Sequence, residues 1–297
     1  MTGQEFSQPT KDPLVAMSRR PPLLRSASLV RQFATQVPLC LSTAVLLFFI
    51  LAATAPNLLA PVDPLAINPV EAFSAPGAGH FLGTDESGRD IYSRIIHGSR
   101  ASLLIGAAAT AIGLVLALVL GILAGFGGRW LDFGVGRILE VLFSLPGLLL
   151  ALVFIAFAGP GVSTTVIAVG LTTAPGYARL IRAQILALRT SPMVEAATVL
   201  GRSRARILTV HILPNALSPI VVLATLGLGQ AILWSASLSF LGLGSPPPAP
   251  EWGTMLSAGR TYLALAWWMT LFPGLAIVLV AAAATVLSRS LKARGPK

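Results

Sequence analysis

The sequence predicts an all-α polytopic membrane protein with six transmembrane helices and both termini on the cytoplasmic side. Three observations carry that prediction. Of the 297 residues 55% are hydrophobic and only 11% charged, a balance that would turn the surface of a soluble domain into one apolar patch. Charge-free stretches at 32–62, 101–128, 141–178, 207–250 and 261–288 reach the roughly 20 apolar residues a helix needs to cross a hydrocarbon core of about 30 Å, and the third has room for two crossings. With the N-terminus in the cytoplasm, four of the 21 Lys and Arg residues, Arg89, Arg94, Arg100 and Arg260, lie outside and the other 17 inside, in keeping with the positive-inside rule.

In chain order, residues 1–36 read as a basic cytoplasmic tail. Pro9, Pro13, Pro21, Pro22 and five basic residues leave too little apolar periodicity for a core, so this stretch is expected to be mobile or to lie on a surface. The first span is Val37 to Leu59. Ala53-Thr54-Ala55 mimics a signal-peptidase site, but the basic leader is too long and Pro56 would follow the cut, so the helix is read as retained. An extracytoplasmic linker, 60–100, follows. Its residues Ile91, Tyr92, Ile95 and Ile96 share one helical face and predict a short interfacial helix, with Asp85–Arg89 and Asp90–Arg94 spaced for i,i+4 pairs.

A five-helix core occupies 101–288, with spans Ala101 to Phe126, Ile138 to Ala158, Val162 to Ile181, Ala216 to Ala236 and Trp267 to Ser288. Gly159-Pro160-Gly161 supplies the turn between the third and fourth spans of the chain. A short cytoplasmic tail, 289–297, ends the sequence given. Trp234, Trp252, Trp267 and Trp268 fall at or beyond the outer ends of spans five and six and Trp130 at the inner end of span two, as an aromatic belt would require. Small residues recur every fourth position along span two, at Ala109, Gly113, Ala117, Gly121 and Gly125, a groove that lets another helix approach closely. Pro146-Gly147 and Pro175-Gly176 are candidate kinks. Pro246 to Pro250 reads as a stiff extended spacer on the outer face.

Several kinds of chemistry have no candidate residues. Lys11, Lys292 and Lys297 are the only lysines and no Gly-x-x-x-x-Gly-Lys-Ser/Thr is present, so this chain cannot cradle ATP in a phosphate loop. It has no His-Glu-x-x-His helix and no nucleophile elbow for an intramembrane hydrolase. The lone Cys40 excludes an internal disulfide or thiolate cluster, and His80, Asp85, Glu86 and Asp90 follow no metal-ligand template. No Asp, Glu, Lys or Arg falls near the midpoint of any predicted span, which counts against a self-powered ion-coupled carrier. A net charge of +10 is spread between apolar segments rather than gathered on one domain, so it speaks for topology and not for nucleic acid. The chain reads as a non-enzyme with no cofactor or metal of its own, whose energy comes from a partner.

The cytoplasmic loop 179–214 is where specificity gathers. Ser191-Pro192 is a helix start, with serine able to cap free amides and proline preorganised for the first helical position. Met193, Ala196, Ala197 and Leu200 recur at i, i+3, i+4 and i+7 and form one apolar face. Gly201 lets the chain leave the helix. Glu195 lies in the first turn, where negative charge suits the helix dipole, and Arg202, Arg204 and Arg206 follow. From the residues alone, a basic amphipathic segment lying on anionic lipid accounts for this loop as well as a protein-docking helix does.

The order Glu195-Ala196-Ala197, three residues, Gly201, nine residues, His211 and then Leu213-Pro214 resembles the EAA loop of ATP-binding-cassette importer permeases. His80 to Asp90, with Leu82-Gly83-Thr84-Asp85 and Gly88-Arg89-Asp90, is similar to a segment of the second permease type in the dipeptide, oligopeptide and nickel branch. The similarity returns at Ser93-Arg94, Gly98 to Leu103, Ser239 to Gly244, Pro246-Pro247-Pro248, Glu251-Trp252-Gly253 and Pro273-Gly274. The resemblance implies a type I ABC importer permease fold in a bacterial cytoplasmic (inner) membrane. It implies a second, homologous permease as heterodimer partner, two ABC ATPase domains that bind ATP and Mg, and an extracytoplasmic solute-binding protein. It also implies that Met193, Glu195, Ala196, Ala197, Leu200, Gly201, Arg202 and Pro214 meet the ATPase. Di- or oligopeptides, nickel or another small solute remain open as cargo. An ATP-independent carrier or channel, or a membrane scaffold, is the alternative from other classes.

Overall fold

The computed structural model describes residues 22–294. Its regular elements are helices, joined by longer irregular segments at 60–90 and 241–251, with no strand among the described residues beyond an isolated bridge between Thr84 and Asp90. In order the helices are α1 (Pro22–Thr54), α2 (Pro56–Leu59), α3 (Ile91–Phe126), α4 (Arg129–Ser144), α5 (Gly147–Ala158) and α6 (Val162–Arg189). They continue as α7 (Pro192–Val199), α8 (Arg204–Ile207), α9 (Leu213–Phe240), α10 (Trp252–Gly259) and α11 (Trp268–Arg294). The chain divides into two units, Met1–Cys40 and Leu41–Lys297. In the first, the described residues are helical from Pro22, inside the stretch expected to be a tail. The remainder of that tail, 1–21, lies outside the described residues, as do 295–297.

Among the described residues, four helices are long and apolar enough to cross a bilayer: α1 over Gln36–Thr54, α3, α9 over Ile220–Phe240, and α11 over Trp268–Ala293. The pair α4 and α5 makes a fifth if the bent pair is one crossing. The expected third span, Ile138 to Ala158, is therefore not one straight helix, because α4 and α5 meet at 94°. The cause is local. Pro146 has no N–H to give and forces Leu145 into extended backbone, φ −98° and ψ 137°, since a residue before proline avoids the helical region. Helix α6 does not pass as a crossing by length and composition, because Thr164, Thr165, Thr172, Thr173, Arg179 and Arg182 dilute its apolar residues. It runs unbroken through Pro175.

Three further expectations change. The separate interfacial helix is absent, and its residues form the first turns of α3, whose 36 residues make a rod of about 54 Å at 1.5 Å per residue. Trp252 and Trp268 do not turn their rings outward as belt residues would. Both are buried, and their indole N–H groups donate to Ile95 O and Thr84 O, each at 3.0 Å. Pro246 to Pro250 is not extended but turns, with Ala249 N donating to Pro246 O at 3.2 Å.

The core is organised around the packing of α3 on α6. A Cβ placed on Gly113, Gly121 or Gly125 would lie 2.5 Å from Thr173 Oγ1, 2.6 Å from Ile181 Cγ2 or 2.7 Å from Ile185 Cγ2, and one on Gly170 would lie 2.7 Å from Ile112 Cγ2. Ala109 and Ala117 on the same stripe are buried completely. Lipid tails are as apolar as leucine, so such a contact is held by dispersion at close range rather than by expulsion of water. Small residues on one helix and branched ones on the other provide that range.

Candidate coupling site

Helix α7 begins where the sequence predicts and for partly different reasons. The carbonyl of Ser191 accepts from Val194 N at 3.0 Å and Glu195 N at 3.1 Å, so Ser191 occupies the cap position. Its hydroxyl, however, donates back to Leu188 O at 2.6 Å and caps no amide of α7. The preceding helix end takes the side chain instead. At the other end Gly201 N donates to Thr198 O at 3.0 Å and Arg202 N to Ala197 O at 3.1 Å, the paired closure of a Schellman motif. That closure needs a left-handed residue, and Gly201 supplies it at φ 71°.

Two of the helix's side chains seat it. Val194 and Ala197 are buried in a cluster with Ile181, Ile185, Ile207, Ile212 and Ala216. The face read from the sequence is thus divided. Ala197 belongs to the chain's own core, whereas Met193 (41% exposed), Ala196 and Leu200 (77%) point away from it. Val199, 88% exposed, joins them and was not among the residues the sequence singled out. Its position directly before Leu200, at the helix end, was the available signal. Glu195, Gly201, Arg202, Arg204 and Arg206 are exposed around this patch.

The return to the membrane runs through α8, a π-turn over Leu208–Ile212, and α9. Leu213 N donates to Leu208 O, one residue further back than an α-helix allows. The wider turn lies where Pro214, without an N–H, would otherwise crowd the preceding turn. Pro214 is exposed. The carbonyl of His211 accepts from Asn215 Nδ2 at 2.7 Å, and the His211 ring is half-buried, a packed helix residue in this setting.

Below the loop, three arginines of α6 anchor on neighbouring elements. Arg182 Nε and Nη2 donate to Asp132 Oδ1 and Oδ2 of α4 at 2.5 and 2.8 Å. Arg179 places its guanidinium 4.3 Å from the centre of the Phe143 ring, and Arg189 Nη1 donates to Gly125 O of α3 at 2.8 Å. Between α4 and α6 opens a cleft of about 420 Å³ lined by Asp132, Phe133, Arg137, Glu140, Arg179 and Arg182 among others. None of these was singled out from the sequence, because the spacing of an isolated Asp and an isolated Arg 50 residues apart carries no local pattern.

At the opposite end, the segment that resembled a family motif is a buried polar lock. Asp85 and Arg94 are buried, and Asp85 pairs with both Arg89 (3.5 Å) and Arg94 (3.6 Å). The expected Asp90–Arg94 pair does not form. Asp90 instead accepts from Ser93 N at 2.7 Å, capping α3, and meets His80 Nδ1 at 2.9 Å. The other ring nitrogen of His80 lies 3.2 Å from Glu71, and the two carboxylates raise the His80 pKa above its ordinary 6.5, chiefly through the Asp90 hydrogen bond and against the opposing effect of burial. Glu251, also buried, caps α10 by accepting from Gly253 N, Thr254 N and Thr254 Oγ1, each at 2.9 Å.

Residues 117–294 match the model of the family described as binding-protein-dependent transport system inner membrane component. The chain is 43% identical over 232 residues to a dipeptide transport system permease protein of Alkalihalophilus pseudofirmus, covering 78% of this chain and 76% of that one. It is 41% identical over 239 residues to a di/tripeptide transport system permease protein of Pseudomonas aeruginosa, covering 78% and 79%. A glutathione transport system permease protein of Pectobacterium atrosepticum matches at 42% over 217 residues, 73% and 72% of the two chains. In fold, the chain resembles one from the inward-facing MetNI methionine ABC transporter, with a TM-score of 0.56 and 21% identity over 67% of this chain and 95% of that one. The relatives are transport permease proteins rather than enzymes, and their family model spans the coupling loop, the π-turn and the helices on either side. This chain belongs to the family of binding-protein-dependent transport system inner membrane components, as a multi-pass permease of the bacterial inner membrane.

Proposed function

We propose that the chain forms half of the pore of an ATP-driven importer of di- or oligopeptides and takes its energy from separate ATPase subunits. The observation that carries this reading is α7: a helix fixed to its own chain by Val194 and Ala197 yet presenting Met193, Ala196, Val199 and Leu200 to the outside. A helix meant only to pack would bury those side chains. One meant to lie on lipid would not need a Schellman closure and a seat in the protein core to fix its direction.

In this reading all six expected spans cross, α6 included, with both termini and α7 on the cytoplasmic side. A second, homologous permease completes the pore. Two ATPase domains bind ATP and Mg below and dock on Met193, Glu195, Ala196, Val199, Leu200, Gly201 and Arg202; a solute-binding protein delivers cargo above. Closure of the ATPases pushes α7, and tilting of the attached helices alternates access. Peptide cargo is supported by the names of the relatives, which include dipeptide, di/tripeptide and glutathione transporters, glutathione being itself a tripeptide. The test is reconstitution of the complete assembly in proteoliposomes with ATP inside and a solute-binding protein outside. Uptake of labelled di- or tripeptide is expected; uptake of nickel but no peptide, or purification of the chain without any ATPase, would sink the proposal.

A further inference from the structure

Helix α6 leads into α7 with only Thr190 and Ser191 between them, and α7 is seated on Ile181 and Ile185 of α6 as well as on Ile207 and Ile212, so displacement of the coupling helix reaches α6 directly. What α6 moves besides α3, with which it interlocks, depends on its contacts with the broken pair α4 and α5. Among the described residues, Arg182–Asp132 is the one ion pair that joins two helices at this end of the chain; Arg137–Glu140 lies within α4. Its two parallel hydrogen bonds fix the relative orientation of the helices as well as their separation.

The surroundings favour motion rather than rigidity. Helix α4 is seated by only two buried side chains, Val135 and Leu139. Its glycines Gly134 and Gly136 have nothing within 4 Å of an added Cβ, and the cleft beside the ion pair leaves open space between α4 and α6. Helix α4 ends at the 94° break before α5. Both charged side chains are 33% exposed, so the pair adds little to folding stability. Direction is what it supplies.

Resting on the transport reading above, we infer that Arg182 and Asp132 are positioning residues that carry the movement of the coupling helix to the broken span. The push on α7 is transmitted along α6, turned onto α4 by the bidentate pair, and expressed as a change of angle at Leu145–Pro146. Arg179 on the Phe143 ring guides the same movement one helical turn away.

The test uses the assembled transporter with Cys40→Ala and spin labels at Ile138→Cys on α4 and Phe157→Cys on α5, both exposed positions. Distances are compared without nucleotide and after trapping with ATP and vanadate. The parent protein is expected to show a nucleotide-dependent shift. Arg182→Ala and Asp132→Ala should keep the resting distance and the bound ATPase but lose the shift, and solute uptake per ATP should fall about tenfold, the scale of a coupling contact. The reversed pair, Arg182→Asp with Asp132→Arg, should regain both. If the alanine variants do not assemble, Arg182→Lys keeps the charge without the parallel hydrogen bonds and should likewise lose the shift. A shift that survives undiminished in these variants, or a reversed pair that assembles without regaining it, overturns the inference. Failure of the underlying reading looks different: the parent protein itself would capture no ATPase.

Discussion

Gly98 of α3 and Pro250 before α10 are in backbone contact, so close that a Cβ on Gly98 would collide with the Pro250 carbonyl oxygen. The residues come from two segments far apart in the chain. Their meeting explains why a glycine stands in the third turn from the start of a long helix, where it weakens helix propensity. Gly98→Ala should therefore displace the Glu251-Trp252 segment from α3. Overpacking of this kind costs about 1–3 kcal/mol, and here backbone rather than a flexible side chain must yield. The check is a lowered thermal midpoint of the purified transporter, which an unchanged midpoint would contradict.

Glu251 is the next test of the same region. Glu251→Ala leaves the amides of Gly253 and Thr254 without their acceptor in a buried site, at about 1–3 kcal/mol for each unmet group. Glu251→Gln keeps one carbonyl acceptor and should lose less. Ranking the two variants by thermal stability, with alanine below glutamine, is the expected result.

Gly201 and Leu200 separate conformation from contact. A Cβ on Gly201 meets nothing within 4 Å in this chain, so Gly201→Ala is expected to cost about 1–2 kcal/mol from the left-handed backbone alone. Leu200→Asp alters an exposed side chain and should change stability by less than about 0.5 kcal/mol. It should nevertheless abolish co-purification of the ATPase. Retained ATPase binding in Leu200→Asp would show that the exposed patch is not the docking surface.

The outer segment should respond to pH through His80. Both ring nitrogens face carboxylate oxygens, and only the imidazolium can donate to both. Because the folded-state pKa lies above 6.5, the stabilisation is fully present below the unfolded value and is lost as pH rises through the folded value. A His80→Ala protein should thus be less stable than the parent at about pH 6 and nearly equal to it at about pH 9. A gap that widens with pH would contradict the assignment.

Much of this architecture is legible in the sequence, because hydrocarbon thickness imposes a length that charge-free stretches either reach or miss. The Gly159-Pro160-Gly161 turn, the position of α7 and the left-handed Gly201 follow from local backbone rules in the same way. Contacts between distant segments do not. Asp90 was expected to pair with Arg94 by helical spacing, but it stands at the cap of α3, outside the helix, where its carboxylate takes the Ser93 amide and His80 instead. Trp252 and Trp268 were expected at a membrane interface by composition; the burial of Trp252 depends on α10 folding back against α3 and that of Trp268 on the Gly83-Thr84 segment lying against its ring, which no local pattern announces. At the coupling site, periodicity grouped Ala197 with Leu200, and only the neighbouring Ile185 and Ile212 decide which of them is turned inward.

The seam between α3 and α6 limits how the molecule can move. Ile181 and Ile185 sit as teeth in the notches left by Gly121 and Gly125, and Ile112 sits in the opposing notch at Gly170. Teeth pointing both ways prevent axial slippage, since a shift of one residue, about 1.5 Å, would bring Cβ-bearing positions against them. The two helices therefore have one shared set of displacements rather than two, and a conformational cycle built on this chain must find its remaining degree of freedom away from that seam.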